Sequence, residues 1–260
     1  MGLIASLPDI DKAPTSVYVL HEKLERLIPV HQHKKGQLSY VEGGIAYVHI
    51  KNKTLVIPAR HYFWIPHGLE HILKVSHSAT VLRSIFFYVY DDGRDPFYSK
   101  VGIYPISDLL LQMIKYTDTW EGPVHPEDSR YQFLTTIKNI LPEMSTHVLP
   151  IALPSTENER MRTIMDYMEE NIADPHTIQS VGDRFGLSRR SLSRQFQSIL
   201  GISFLQYLKL LRMVKAFEMI LQTDMTMSEV AFATGYQSLS SFSNTFYQFT
   251  KSRPSAFIKH

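Results

Sequence analysis

A turn-then-helix pattern that occurs twice restricts this chain more than any other feature. GLSRRSLSRQF spans Gly186–Phe196, and a looser echo, GYQSLSSFSNTF, spans Gly235–Phe246. In the first copy, Thr177 can cap a short helix carrying Ile178, Val181 and Phe185. Gly186 ends it by taking a left-handed conformation at little cost. Ser188 then caps a second helix whose Leu192 and Phe196, four residues apart, point inward. Arg189, Arg190, Ser191, Arg194 and Gln195 are left at its start and on its outward faces. The second copy runs through Thr226, Met227, Val230, Ala231, Gly235 and Tyr236 to a helix with Leu239, Phe242 and Phe246 as its apolar stripe. Val181, Gly186 and Leu187 map onto Val230, Gly235 and Tyr236; with one extra residue in the second turn, Leu192 and Phe196 map onto Phe242 and Phe246. Small residues at Gly182 and Ala231 suit a close helix crossing.

Helix, glycine turn, helix with polar donors at its start is a helix-turn-helix signature. A single helix fits the major groove of double-stranded DNA, arginine and glutamine hydrogen-bond to base edges, and helix N-termini favour phosphate. Short helices ending in glycine are common in any helical domain, and arginines on one of them are ordinarily solvated surface. Repetition at matching core positions favours DNA. Between the copies, Phe204–Leu221 reads as one long helix, a rigid spacer that sets two reading heads about one helical turn of duplex apart. Base and phosphate contacts are expected from Arg189, Arg190, Ser191, Arg194 and Gln195 in the first groove. Ser238, Ser240, Ser241 and Asn244 are expected to make short-range polar contacts in the second.

Composition bounds the remaining classes. Apolar residues make up 44% of 260, ample for a core, and there is no cysteine, so any metal would be held by nitrogen and oxygen. The N-terminus lacks a signal-peptide pattern and no apolar run spans a bilayer, so a soluble cytoplasmic protein without membrane contact is expected. Lys/Arg and Asp/Glu number 15 and 15 up to residue 156 and 12 and 10 beyond it, a bias too weak for a non-specific nucleic-acid coat. Ten of the twelve histidines precede residue 150, which marks two chemically different halves.

From about Ser16 to Tyr90 the chain reads as short strands: Leu38–Glu42 and Ala46–Ile50 flank Gly43-Gly44 as in a hairpin, Thr54–Ile57 and His61–Ile65 follow, and Ala79–Val89 is β-branched and aromatic. An antiparallel sandwich or small barrel is expected. Helical spacing follows at Leu109, Leu110, Met113 and Ile114 and again at Tyr131, Leu134, Ile137 and Leu141, either covering an open sheet face or offering a dimerisation surface. Residues 142–156 hold three prolines and no period. The fold class expected is therefore two-domain: an antiparallel β-barrel followed by helices over 1–148, a linker over 149–156, and an all-α domain with two helix-turn-helix motifs joined by a long helix over 157–260.

The histidines form a pattern of their own. His31 and His33 would share one face of a strand. A returning strand would bring His71, from Pro66-His67-Gly68-Leu69-Glu70-His71, beside them, with Gln37 as an oxygen donor. Three readings are open: a structural or effector-lining role, with Tyr40 and Trp64 as further lining; a divalent transition metal on His31, His33 and His71 with Gln37 fourth; or metal-dependent catalysis, for which Glu42 and Glu70 are weak acid–base candidates.

Residues 177–257 resemble the DNA-binding domain of the AraC/XylS family of transcription regulators in LSRRSLSRQF, Gly201-Ile202-Ser203, Tyr207, Arg212, Ala216, Ile220-Leu221, Val230-Ala231, Gly235-Tyr236, Phe242, Phe246, Pro254 and Phe257. The second copy departs from the family at Asn244, Tyr247 and Gln248, where basic residues are usual, and so do Lys251 and Ile258. The histidine spacing resembles the two cupin motifs, with Gln37 where cupins carry glutamate. Together the resemblances imply a regulator, not an enzyme, whose DNA binding is modulated by a small molecule or metal in an N-terminal cupin-type barrel. They imply a homodimer through that half, with Leu109–Ile114 and Leu134–Leu141 in its interface, and RNA polymerase as a further partner. The competing classes are a metal-dependent cupin enzyme with a helical appendage and a protein-interaction scaffold that no longer binds DNA.

Overall fold

The computed structural model describes residues 3–23, 27–75, 80–149, 151–250 and 252–257. It divides into one unit of Met1–Ile50 with Ile57–Pro150 and another of Lys51–Val56 with Ile151–His260. The first opens on α1 (Leu3–Lys12), a helix absent from the sequence reading because Pro8 interrupts its short apolar pattern. Strands follow: β1 (Val17–Lys23), β2 (Leu27–His31), β3 (Gly36–Glu42), β4 (Ile45–Ile50), β5 (Lys53–Pro58, most of which belongs to the second unit), β6 (His61–Ile65), β7 (His71–Val75), β8 (Val81–Phe87), β9 (Gly102–Pro105) and β10 (Gly122–Val124). Helix α2 (Asp108–Tyr116) precedes β10, and α3 (Arg130–Met144) follows it.

One antiparallel sheet has the order β10-β1-β8-β3-β6-β9; in a second, β4, β7 and β2 are neighbours. The hairpin expected at Gly43-Gly44 is a correction. Both edges of β3 are taken by β6 and β8, so β4 leaves for the other sheet. The positive φ of both glycines, 74° and 66°, serves a corner between sheets.

Strand alternation divides the chemistry of β3. Leu38 and Tyr40 join Tyr62, Trp64, Ile85 and Phe87 on a face covered by Leu110 and Ile114 of α2 and Leu134, Ile137 and Leu141 of α3. Of the two roles expected for these helices, covering the sheet face is seen for α3, whose Leu134, Ile137 and Leu141 are fully buried in the core. α3 is also fixed by charge. The buried Lys138 ammonium donates to the Tyr88 carbonyl at 2.6 Å, pairs with Asp91 and with Asp92 at 2.7 Å, and lies 4.1 Å from the Tyr88 ring centre.

In the second unit, the proline-rich stretch expected as linker carries β11 (Ala152–Pro154), paired antiparallel with residues 53–55. Helices then follow: α4 (Glu159–Glu170), α5 (Ile178–Arg184), α6 (Arg189–Gln195) running into a π turn at Phe196–Leu200, α7 (Phe204–Gln222), α8 (Met227–Ala233) and α9 (Leu239–Thr250). Reciprocal side-chain caps start three of them, Thr177 with Ser180, Ser203 with Gln206, and Thr226 with Glu229. Two cores form along α7. Met161, Ile164, Met168, Val181, Leu192 and Phe196 pack with Phe204–Leu211 of its first half. The rings of Phe242, Phe246 and Phe257 pack with Phe217 of its second half. Among the described residues no helix is long and apolar enough to cross a membrane.

Candidate DNA interface and imidazole cluster

The two short-helix pairs are built alike. Ser188 Oγ accepts from Ser191 N at 3.1 Å to start α6, and Ser238 Oγ accepts from Ser241 N at 3.2 Å to start α9. In each, a left-handed glycine (φ 63° at Gly186, 81° at Gly235) turns the chain between helices. Gly182 has no room for a methyl, since a Cβ there would lie 2.6 Å from the Leu187 carbonyl oxygen. The inward residues are the expected ones, with Leu192, Phe196, Phe242 and Phe246 fully buried.

Outward, Arg189, Arg190 and Arg194 are exposed, and their guanidinium groups pair with no other described residue. Ser191 and Gln195 are half-buried beside them. Ser238, Ser240, Ser241 and Asn244 are exposed on the second head, where Ser238 is committed to capping α9. Arg253 escaped the sequence reading. It follows the end of α9, yet its guanidinium returns to donate to Ser243 Oγ at 3.3 Å and lies 5.1 Å from the Tyr247 ring centre, so the second head carries a cation. No helical period connects Arg253 to α9, which is why sequence spacing did not find it. Lys251 and Ile258 lie outside the described residues.

In the β-rich unit the histidines meet as the spacing suggested. His31 and His71 are register partners of β2 and β7, and their ring centres lie 4.2 Å apart. His33, beyond the end of β2, lies 5.4 Å from His71 and 6.3 Å from His31. Each Nδ1 faces a backbone carbonyl: Pro29 at 2.8 Å for His31, Lys35 at 2.5 Å for His33, and Leu69 at 2.8 Å for His71. Carbonyls only accept, so the neutral His31 and His71 rings each carry the proton on Nδ1 and the lone pair on Nε2.

His33 Nε2 meets Gln37 Oε1 at 2.9 Å, the Gln37 amide nitrogen donates to Ser39 Oγ, and Ser39 Oγ pairs with Ser84 Oγ, the last two steps each 2.8 Å. The oxygen of that amide only accepts, so His33 meets an acceptor at each ring nitrogen. The Nε2 atoms of His31 and His71 are buried and have no hydrogen-bond partner. Burial lowers all three imidazoles below the ordinary histidine value, His71 to about 3 with help from neighbouring His31.

Tyr40 and Trp64, expected to line the same site, are on the opposite face of the sheet, and Trp64 Nε1 donates to the Tyr98 carbonyl at 3.0 Å. Glu42 is tied to Arg83 at 2.6 Å, and Glu70 is exposed. With His33 committed to Gln37, the residues do not fit a resident metal as arranged, and among the described residues no group of three or more histidines and carboxylates is placed to hold one.

Two capped helix pairs on one long helix, each with its polar side free, define a double helix-turn-helix DNA-binding protein. The comparisons with known proteins agree with this class. A helix-turn-helix domain model matches residues 181–260. A transcriptional regulator of Escherichia coli K12, NimR, is 24% identical over 96% of this chain and 90% of its own. The transcriptional activator RhaS of Escherichia fergusonii is 31% identical over 34% of this chain; the chain spans about a third of that relative's length. Among solved structures, the DNA-binding domain of AdpA in complex with a target DNA is similar over 38% of this chain and 88% of its own (24% identity, TM-score 0.36). ToxT of Vibrio cholerae is similar over 93% of this chain and 97% of its own (12% identity, TM-score 0.38). Residues 181–260 are a helix-turn-helix domain of the AraC type, and the chain is a DNA-binding transcription regulator. That class displaces the enzyme reading.

Proposed function

We propose that this regulator acts in the cytoplasm and reads two neighbouring major grooves unequally, and that a small-molecule effector bound at His31 and His71 tunes the reading. The first head supplies Arg189, Arg190, Arg194 and Gln195 for base edges and phosphates. The second supplies Ser240, Ser241, Asn244 and Arg253, the cation serving phosphate. A homodimer through the β-rich half is part of the same reading, with Leu109 and Tyr116, both exposed on α2, as its apolar contact.

One observation carries the effector: two buried Nε2 lone pairs side by side with nothing donating to them. An unsatisfied buried acceptor costs about 1–3 kcal/mol, and a ligand presenting N–H or O–H recovers it. The Gln37–Ser39–Ser84 chain beside it offers further polar contacts, so a compact ligand rich in donors fits better than a lipid. Binding that favours one state of the DNA-binding unit must be reciprocal: DNA then tightens the effector by the same factor.

Thermal-shift screening of small amides, alcohols, amines and nitrogen heterocycles, with Zn²⁺ and Ni²⁺ as separate arms, tests the site. Stabilisation by a donor-bearing compound that is lost in His71→Phe supports the reading. Stabilisation by the metals alone, or an equal response of His71→Phe, overturns it.

A further inference from the structure

The two reading heads are bolted together at one side chain. α7 carries the core of the first head up to Leu211 and that of the second from Met213 onward, and Arg212 sits at the seam. Its Nη2 donates to the Asp174 carbonyl at 3.1 Å, in the segment between α4 and α5 of the first head. The same guanidinium lies 5.5 Å from the Tyr236 ring centre, at the turn between α8 and α9 of the second. Gly235 completes the joint. A Cβ there would overlap Arg212 Nη2 and lie 2.7 Å from the Ile172 carbonyl oxygen, so the turn of one head rests directly on backbone of the other.

The guanidinium is half-buried and sparsely bonded, since its buried Nε has no hydrogen-bond partner. A planar cation wedged between a carbonyl and an aromatic face fixes direction as well as distance, which a lysine cannot reproduce. We infer that Arg212 is a positioning residue: it holds the second head at a set angle to the first and thereby sets the spacing at which two half-sites of DNA are read together.

This rests on the double-groove reading above, and the test separates the two. Let the full-length protein select duplexes from a random pool, then compare three probes: the selected duplex, the same duplex with the second contacted stretch scrambled, and versions with a few base pairs inserted between the stretches. Wild type should lose affinity on each insertion. In Arg212→Met, which keeps the apolar stem, and in Tyr236→Leu, affinity for the intact duplex should fall at least about tenfold, because the second contact is no longer prepaid by geometry. Affinity for the scrambled duplex should stay at the wild-type value, and the penalty for insertion should shrink. Arg212→Lys should behave like Arg212→Met.

Variants that keep the full wild-type penalty for insertion overturn the inference. So does an equal loss on the intact and scrambled duplexes, which means that Arg212 supports only the fold. If wild type selects no paired stretches, the double-groove reading fails first. In that case Arg212→Met with unchanged thermal stability also removes the bolt.

Discussion

His31 and His71 face each other as register partners across β2 and β7, their rings 4.2 Å apart, each with its Nδ1 turned to a backbone carbonyl and its Nε2 unpartnered. Their strands therefore hold two lone pairs in a buried place where no proton is welcome.

Acid should weaken the fold through these rings. The native value of His71 is about 3 and that of the fully buried His61 about 4, against an ordinary 6.5. Between those values the unfolded chain binds protons that the native chain refuses. Stability is thus complete above about pH 6.5 and falls on acidification toward the native values, by up to about 1.4 kcal/mol per pH unit for each such ring. Melting temperature measured from pH 7.5 down to 5 should drop steadily, and His71→Phe should flatten the slope. A melting temperature independent of pH over that range contradicts the burial of neutral rings.

The two glycine turns should respond unequally to the same change. Gly186→Ala meets nothing within 4 Å and suffers only from its positive φ, a cost of roughly 1–2 kcal/mol. Gly235→Ala adds a collision with backbone and with Arg212, so its loss in denaturant melts should be clearly larger. Equal losses would mean that the second turn has space the geometry denies.

Removing the charge under α3 should be costly. Lys138→Met leaves Asp91 and Asp92 facing each other without their shared ammonium, and breaking such a buried pair typically costs about 3–5 kcal/mol. Chemical denaturation of the full chain reads this directly. A loss under about 1 kcal/mol would show that the ammonium is dispensable to the packing of α3.

Most of the helical unit was legible from its letters because capping residues and left-handed glycines are local chemistry: Thr177, Ser188 and Thr226 cap where they stand in sequence. The β-rich half was legible at the level of strands but not of their partners. Gly43-Gly44 looks like a hairpin until the neighbours of β3 are known, and sheet order is a long-range property that no local signal carries. The histidine cluster was found by spacing, since a strand and its return bring His31 to His71. Tyr40 and Trp64 were misassigned to it because the face to which they point depends on register. Arg212 was visible as a letter in a family pattern, while its role needed the distant Asp174 carbonyl and a tyrosine ring.

The most direct measurement is enrichment of duplexes from a random pool by the wild-type protein, alongside Arg190→Ala and Ser240→Ala, at fixed salt. The account predicts two enriched stretches about one helical turn apart. Arg190→Ala should erase preference in one of them at a cost of about 1–3 kcal/mol, with a smaller loss for Ser240→Ala. No enrichment over random duplex, or equal losses for the two variants, would contradict it.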